Sequence, residues 1–232
     1  MNSASPLGVL VQAGGLGRRL GALSADRPKA LVPFAGTTLL DHQLSRTRAL
    51  GAARTCVLAC AAPAAMAEAT AGRAELLVED APLGTAGGLA LLPDAPDAWL
   101  VLNVDHVSDV DLEGFVRAGQ EALAAGDAGL ALIVRREVRV DEGVVEIEAA
   151  HITGWAERPV FRLPVTTGLY VLSRAAIAAV LPEPRRLDMP DLILALAPRV
   201  AVLEHHGVWI DAGTPERLAE AAALALRPAV EA

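Results

Sequence analysis

An α/β fold, built on a largely parallel sheet covered by helices on both faces, is what this 232-residue sequence predicts. Short runs rich in Val, Leu and Ile alternate with segments whose apolar residues recur at helical spacing, the pattern of crossover connections between parallel strands. The chain is 53% hydrophobic and 21% charged, which suits one sizeable buried core and excludes disorder as the dominant state.

The elements follow in order. Leu7 to Gln12 is an apolar run ending in glycines, a buried strand feeding a loop, and Thr38 to Leu50 reads as a helix stopped by Gly51. Thr55 to Ala59, Ala74 to Glu79, Ala98 to Leu102 and Ala128 to Arg135 read as strands, with helices at Ala62 to Thr70, Thr85 to Leu92 and Leu112 to Ala125 between them. After about Arg136 the pattern changes to a partly antiparallel addition, with strands at Gly143 to Glu148, His151 to Glu157 and Thr166 to Ser173 and prolines 159 and 164 in the connections. Helices return at Ala175 to Val180, near Asp188 to Leu196 and at Pro215 to Leu226, the last with Thr214 as N-cap and Pro215 at its first position. No linker, repeat or charge block divides the chain, and the Ala-rich stretches 52–74 and 219–229 read as helix formers. One compact domain over residues 1–232 is expected.

Composition narrows the function. Aromatics make up 3% of the chain, too few to stack bases, and 28 Asp and Glu against 20 Lys and Arg leave a net charge of −8. Both argue against a nucleic-acid partner. Cys56 and Cys60 lie in an apolar stretch and read as small hydrophobes in a reducing compartment. The start has no basic segment before its apolar run, and no run approaches the ~18 apolar residues of a membrane span. A soluble, cytoplasmic protein without a membrane partner is expected.

The chemistry concentrates in the stretch Gln12-Ala13-Gly14-Gly15-Leu16-Gly17-Arg18-Arg19-Leu20, followed by Pro28-Lys29. Three glycines after a first strand let backbone N–H groups approach an anion, and Arg18, Arg19 and Lys29 add the charge to neutralise a triphosphate. Leu20 stands where a dinucleotide-binding loop needs its third glycine, and no Gly-Lys-Ser/Thr follows, so neither a dinucleotide fingerprint nor a Walker A loop is present.

This loop resembles the signature of the sugar-1-phosphate nucleotidyltransferases, A-G-G/A-x-G-T-R-L followed by P-K. The similarity continues through Glu79-Asp80-Ala81-Pro82-Leu83-Gly84-Thr85-Ala86-Gly87, Leu102-Asn103-Val104-Asp105, Asp109-Val110-Asp111-Leu112, Gly143-Val144-Val145, Trp155-Ala156-Glu157-Arg158-Pro159, Thr166-Thr167-Gly168-Leu169-Tyr170 and Gly207-Val208-Trp209-Ile210-Asp211-Ala212-Gly213-Thr214-Pro215-Glu216. The motifs stand in order over nearly the whole chain. The resemblance implies a three-layer sandwich with a mostly parallel, Rossmann-like mixed sheet, its nucleotide-binding half at about 1–110 and its sugar-binding half at about 111–232.

It also implies roles. Gln12 to Arg18, Glu79, Pro82, Gly84 to Gly87 and Asn103 would hold a nucleoside triphosphate; Arg19 and Lys29 would act on its phosphates, and Asp105 and Asp211 would carry Mg²⁺. Glu157, Arg158, Thr166, Thr167, Gly168 and Asp188 would meet a sugar 1-phosphate, with a surface ion pair as the alternative for Glu157 and Arg158 and a helix cap for Asp188. The acceptor phosphate is already an anion, so positioning and charge neutralisation replace a general base. The five histidines lack ligand-like spacing and read as surface or supporting residues; His106 stands apart because it adjoins Asp105.

Four departures touch ligand contacts: Val104 replaces a usual glycine, Arg18 a threonine, Arg158 a lysine and Thr166 an asparagine. If Glu79 faces the base, its two oxygens suit the adjacent N1–H and 2-amino donors of guanine, which favours GTP; the Ala13-Gly14-Gly15-Leu16-Gly17 loop and the Asp188-Met189-Pro190-Asp191-Leu192-Ile193 run resemble those of guanylyltransferases for mannose and heptose 1-phosphates, which implies a mannose- or heptose-type acceptor. The alternatives are a uridylyltransferase for an amino-sugar 1-phosphate such as N-acetylmuramate 1-phosphate and a non-catalytic nucleotide-binding regulator. No C-terminal β-helix follows the last helix, so a stand-alone transferase is expected, and the resemblance alone suggests a homodimer.

Overall fold

The computed structural model describes residues 6–15, 17–60 and 62–226. Leu16, the start of the N-terminal segment and the end of the last Ala-rich stretch lie outside the described residues. The order is β1 (Leu7–Gln12), 3₁₀ turns at Arg18–Ser24 and Lys29–Leu31, β2 (Pro33–Phe34), β3 (Thr37–Thr38), α1 (Leu39–Arg48), β4 (Arg54–Ala59), α2 (Pro63–Thr70), β5 (Glu75–Val78) and a 3₁₀ turn at Gly87–Leu91. It continues with β6 (Ala98–Asn103), β7 (His106–Ser108), α3 (Leu112–Ala124), β8 (Gly129–Arg139), β9 (Gly143–Glu148), β10 (His151–Glu157) and β11 (Val160–Ser173). The chain closes with α4 (Arg174–Val180), α5 (Met189–Leu196), β12 (Val200–Glu204), β13 (Trp209–Asp211) and α6 (Pro215–Ala225).

Seven strands form one sheet in the order β12-β8-β11-β6-β1-β4-β5. β11 runs antiparallel to both β6 and β8, and the other pairings are parallel. The cause is local: β8 leaves the sheet as a long arm, the β9–β10 hairpin turns the chain back, and β11 returns along β8. Strand periodicity sends alternate side chains to opposite faces. Val9, Val11, Leu100 and Leu102 pack on one side with Leu40 and Leu44 of α1, Phe115 of α3 and Leu218 of α6. Leu10, Trp99, Val101 and Leu172 pack on the other with Ile177 of α4 and Leu192 and Leu196 of α5. Three layers result, as expected.

The helix starts follow from side-chain chemistry. Thr38 and Asp41 form a reciprocal capping box on α1, and Thr214 caps α6 ahead of Pro215. Three expectations need correction. Thr85 to Leu92 is a loop ending in a short 3₁₀ turn, because the Ala86 and Gly87 amides donate to the Leu187 carbonyl at 2.9 and 3.1 Å instead of to a helix. The strand expected at Thr166 to Ser173 starts at Val160 and runs through Pro164, which sits where β11 has only β8 beside it; an open strand side tolerates a missing N–H. β12 and the short β7–β13 pair were not anticipated, since three- and five-residue strands carry little periodic signal.

Both cysteines are free, Cys56 buried with its thiol pushed up to about 11 by burial. No helix among the described residues is long and apolar enough to cross a membrane. His42 packs edge-on to Phe34 at 4.9 Å, and burial, with the charge of Arg46, depresses its pKa to about 4. A depressed histidine stabilises the fold fully above its unfolded pKa near 6.5 and loses that stability as pH falls toward 4. Thermal stability is therefore expected to drop between pH 7 and 5 by about 1 kcal/mol from this group, roughly 2–4 °C in Tm. His42→Phe should show a shallower drop; identical profiles for the two proteins would refute the assignment.

Candidate active site

The carboxyl ends of β1 and β6 lie side by side, with Gln12 opposite Asn103 in the parallel register. From β1 the sheet continues through β4 in one direction, and from β6 through β11 in the other. Such a reversal of strand order opens a crevice at the carboxyl ends. Two cavities of about 280 and 300 Å³ occupy it and share Gln12, Thr85, Asn103 and Asp105.

The smaller cavity draws all its lining from the stretch Gln12 to Asp105, including Gly14, Gly15, Lys29, Glu79, Pro82 and Gly84. Gln12 donates its side-chain amide to the Thr85 carbonyl at 2.7 Å, closing the rim. Glu79 is buried, its Oε1 has no hydrogen-bond partner, and burial raises its pKa against the pull of the Leu83 amide. Val104 is 3% exposed and belongs to the core cluster, yet it also borders the smaller cavity, so the departure from glycine lies at the floor of the crevice. Gly17, at φ +63°, opens the 3₁₀ turn that carries both arginines; a Cβ there would press on Lys29 and Ser24. Arg18 and Arg19 line an adjoining cavity with Gly15, Gly17, Lys29 and Gly213.

Not every expected nucleotide residue faces this space. Ala13 is a core residue whose amide bonds the Leu58 carbonyl at 2.8 Å. Ala86 and Gly87 are buried and pin the loop to Leu187. Asp188 corrects both expectations held for it: its carboxylate makes no helix cap and lines neither cavity, but accepts from the Thr85 amide at 3.0 Å and hydroxyl at 3.3 Å. It holds the same loop from the other side.

At the seam between the cavities stand two carboxylates with two cations. Asp105 is ion-paired and hydrogen-bonded through Oδ2 to Lys29 Nζ, and Arg19 Nη2 lies 3.6 Å from Asp211 Oδ2. The β7–β13 ladder places Asp211 opposite His106, and the Ala212 amide donates to the Asp105 carbonyl at 3.0 Å. Carboxylates far apart in the sequence thereby become neighbours. Burial disfavours ionisation of Asp105, but the Lys29 ammonium and hydrogen bonds from Asp211 and Lys29 prevail and hold its pKa below the usual range. Asp211 is raised, by burial and then by its hydrogen bond to, and repulsion from, Asp105. Buried Asp211 Oδ1 has no partner.

The larger cavity takes Thr166, Thr167 and Gly168, where β11 shifts register and Gly168 adopts φ +79°. Tyr170, Met189, Pro190 and Trp209 complete its wall. None of these four was singled out beforehand. Trp209 was legible, since it sits two strand residues before Asp211 and shares its face; Tyr170 was not, because the bulge brings its hydroxyl to 2.7 Å from Thr166 Oγ1. Glu157 and Arg158 line neither cavity: they lie exposed at the end of β10 and just beyond it, 4.0 Å apart, as the surface-pair alternative has it. His106 borders the larger cavity but is almost wholly buried, with ring nitrogens 2.8 Å from Ser108 Oγ and 3.2 Å from the Thr167 carbonyl, and burial lowers its pKa to about 4. It supports the site as a neutral ring.

A family model described as nucleotidyl transferase matches residues 8–227. The chain belongs to the nucleotidyl transferase family. Among its relatives, mannose-1-phosphate guanyltransferase beta-B of Xenopus laevis is 29% identical over 224 residues, and the catalytic subunit beta of mannose-1-phosphate guanylyltransferase from Danio rerio is 28% identical over 224 residues. Each alignment covers 89% of this chain and 61% of the relative, so the chain spans about three-fifths of their length. A Bacillus anthracis chain assigned as a glucose-1-phosphate thymidylyltransferase, solved with sucrose, superposes with TM-score 0.76 at 20% identity over 97% of this chain and 98% of that one. HddC from Yersinia pseudotuberculosis complexed with GMP-PN gives 0.67 at 20% identity over 94% and 98%. Both likenesses show that this nucleotidyl transferase shares their fold.

Proposed function

We propose that the chain transfers a nucleoside monophosphate from a nucleoside triphosphate to a sugar 1-phosphate, releasing pyrophosphate, with Mg²⁺ as cofactor. The carrying observation is the Lys29–Asp105–Asp211–Arg19 cluster at the seam of two cavities. The residues present suit the metal: two hard carboxylates converge, one oxygen of Asp211 is buried without a partner, and phosphate oxygens and water complete the set Mg²⁺ takes. Among the described residues no cluster of three or more His, Cys, Asp or Glu offers a rival site. Bound Mg²⁺ supplies charge neutralisation on phosphate oxygens.

The chain's own residues do the rest. The glycine loop holds the triphosphate, and Arg19 and Lys29 offset the repulsion between two polyanions. Thr166 to Gly168 place the acceptor so that its phosphate oxygen forms the new P–O bond at the α-phosphorus as the bond to the β-phosphate breaks. No proton need be removed from the attacking oxygen.

GTP with a mannose- or heptose-type acceptor is the preferred pair. Glu79, with an unpartnered buried oxygen in the smaller cavity, supports the two-donor guanine edge. The names of the relatives point the same way. In thermal unfolding with GTP, UTP, CTP, ATP or dTTP plus Mg²⁺, GTP is expected to raise Tm clearly above the others, since a ligand at 100 times its Kd adds about 2.7 kcal/mol. UTP standing clear would replace guanylyl by uridylyl transfer. Stabilisation without pyrophosphate release from any acceptor would favour the non-catalytic regulator.

A further inference from the structure

Beside the larger cavity lies a third space of about 330 Å³, and Trp209 belongs to the wall of both. On β8 the side chains of Leu130 and Leu132 belong to one core face, and the strand's two-residue period continues that row through buried Val134 to Arg136, both of which line the space past the end of the core. Its guanidinium lies 5.1 Å from the centroid of the Trp209 ring and, among the described residues, forms no ion pair with a carboxylate. Arg217, in the first turn of α6, lines the same space with its Nε buried and without a hydrogen-bond partner. The other charges there are matched: Arg135 pairs with Glu204 at 3.0 Å and Glu137 with Arg162 at 3.1 Å. In a chain of net charge −8, two half-buried guanidiniums that converge on one space form a local cationic site suited to an anion.

We propose that Arg136 and Arg217 form an anion subsite that takes a second anionic group, carboxylate or phosphate, carried by the acceptor sugar. The inference rests on the sugar 1-phosphate reading and narrows its acceptor from a plain mannose- or heptose-type 1-phosphate to a sugar 1-phosphate of that type bearing a second anionic group. Trp209 links the two spaces: its indole N–H donates toward the Thr167 carbonyl at 3.2 Å, which fixes the ring between the acceptor cavity and Arg136. A planar guanidinium held over an indole is pre-oriented for a bidentate grip on either anion.

The test is calorimetric, with mannose 1-phosphate, glucose 1-phosphate, glucose 1,6-bisphosphate and glucuronic acid 1-phosphate as probes on the full chain with Mg²⁺. The two doubly anionic probes are expected to bind about tenfold tighter or more than the singly anionic ones. Arg136→Gln and Arg217→Gln should erase that advantage while leaving the singly anionic Kd values unchanged, and Arg136→Lys should restore part of it. Equal affinities for all probes, or equal losses for both probe classes in the variants, would overturn the subsite. Arg136-dependent binding of inorganic phosphate without any gain for the doubly anionic sugars would assign the space to a free anion and overturn the acceptor role. Pyrophosphate release is measured in parallel: its absence with every acceptor would defeat the transferase reading, whereas the ratio of affinities tests the subsite in either case.

Discussion

Asp105→Asn and Asp211→Asn are each expected to cut turnover about 10²–10³-fold, several kcal/mol of lost charge stabilisation where phosphate charge is redistributed. Asparagine is the informative replacement because the two carboxylates are not equivalent in the fold. Asp105 is nearly buried and pairs with an equally buried Lys29, so alanine would take away both the countercharge and the acceptor of the ammonium, whereas the asparagine carbonyl still accepts a hydrogen bond from Nζ and limits the loss of stability. Asp211 is more open, and its partner Arg19 is two-thirds exposed, so its removal should cost the fold little. Steady-state turnover with GTP and mannose 1-phosphate, read beside Tm, separates the two effects. Near-normal turnover in both variants would remove the metal assignment.

Lys29→Met is expected to raise the KM for the triphosphate and lower turnover about 10²-fold, yet to let Mg²⁺ bind more tightly in the absence of nucleotide. Both signs have one cause. The Lys29 ammonium occupies Asp105, so a metal arriving alone competes with it, whereas an incoming triphosphate gives the lysine other anions to hold. Methionine keeps the aliphatic length in the buried passage and removes only the charge. The readout is the Mg²⁺ concentration needed for half-maximal thermal stabilisation, which should fall in the variant. An unchanged or higher requirement would show that Lys29 and the metal do not share Asp105.

Much of this site was legible in the residue order because its ingredients are local. The glycine loop with Arg18, Arg19 and Lys29 spans one connection, and Glu79 to Thr85 another, so each motif carries its own backbone chemistry. Val104, a departure at the site, could be placed only by packing: in the turn between β6 and β7 it joins the core cluster and borders the smaller cavity. Asp188 failed both expectations for a related reason, since its carboxylate answers to Thr85 across the crevice and not to its own helix.

The residue order by itself determined the α/β alternation, the first strand and the glycine loop after it, the helix cap at Thr214, and the grouping of Arg18, Arg19 and Lys29 in one connection. Those features depend on neighbours within a few residues, where periodicity and capping act. Only the tertiary structure decided that β11 runs antiparallel, that Glu157 and Arg158 stay outside both cavities, and that Trp209 joins the acceptor cavity to Arg136. It alone brought Asp105 beside Asp211, through a three-residue ladder between β7 and β13. Pairings over such sequence distances are set by burial and hydrogen bonding across the whole sheet, and no local stretch of sequence contains both partners.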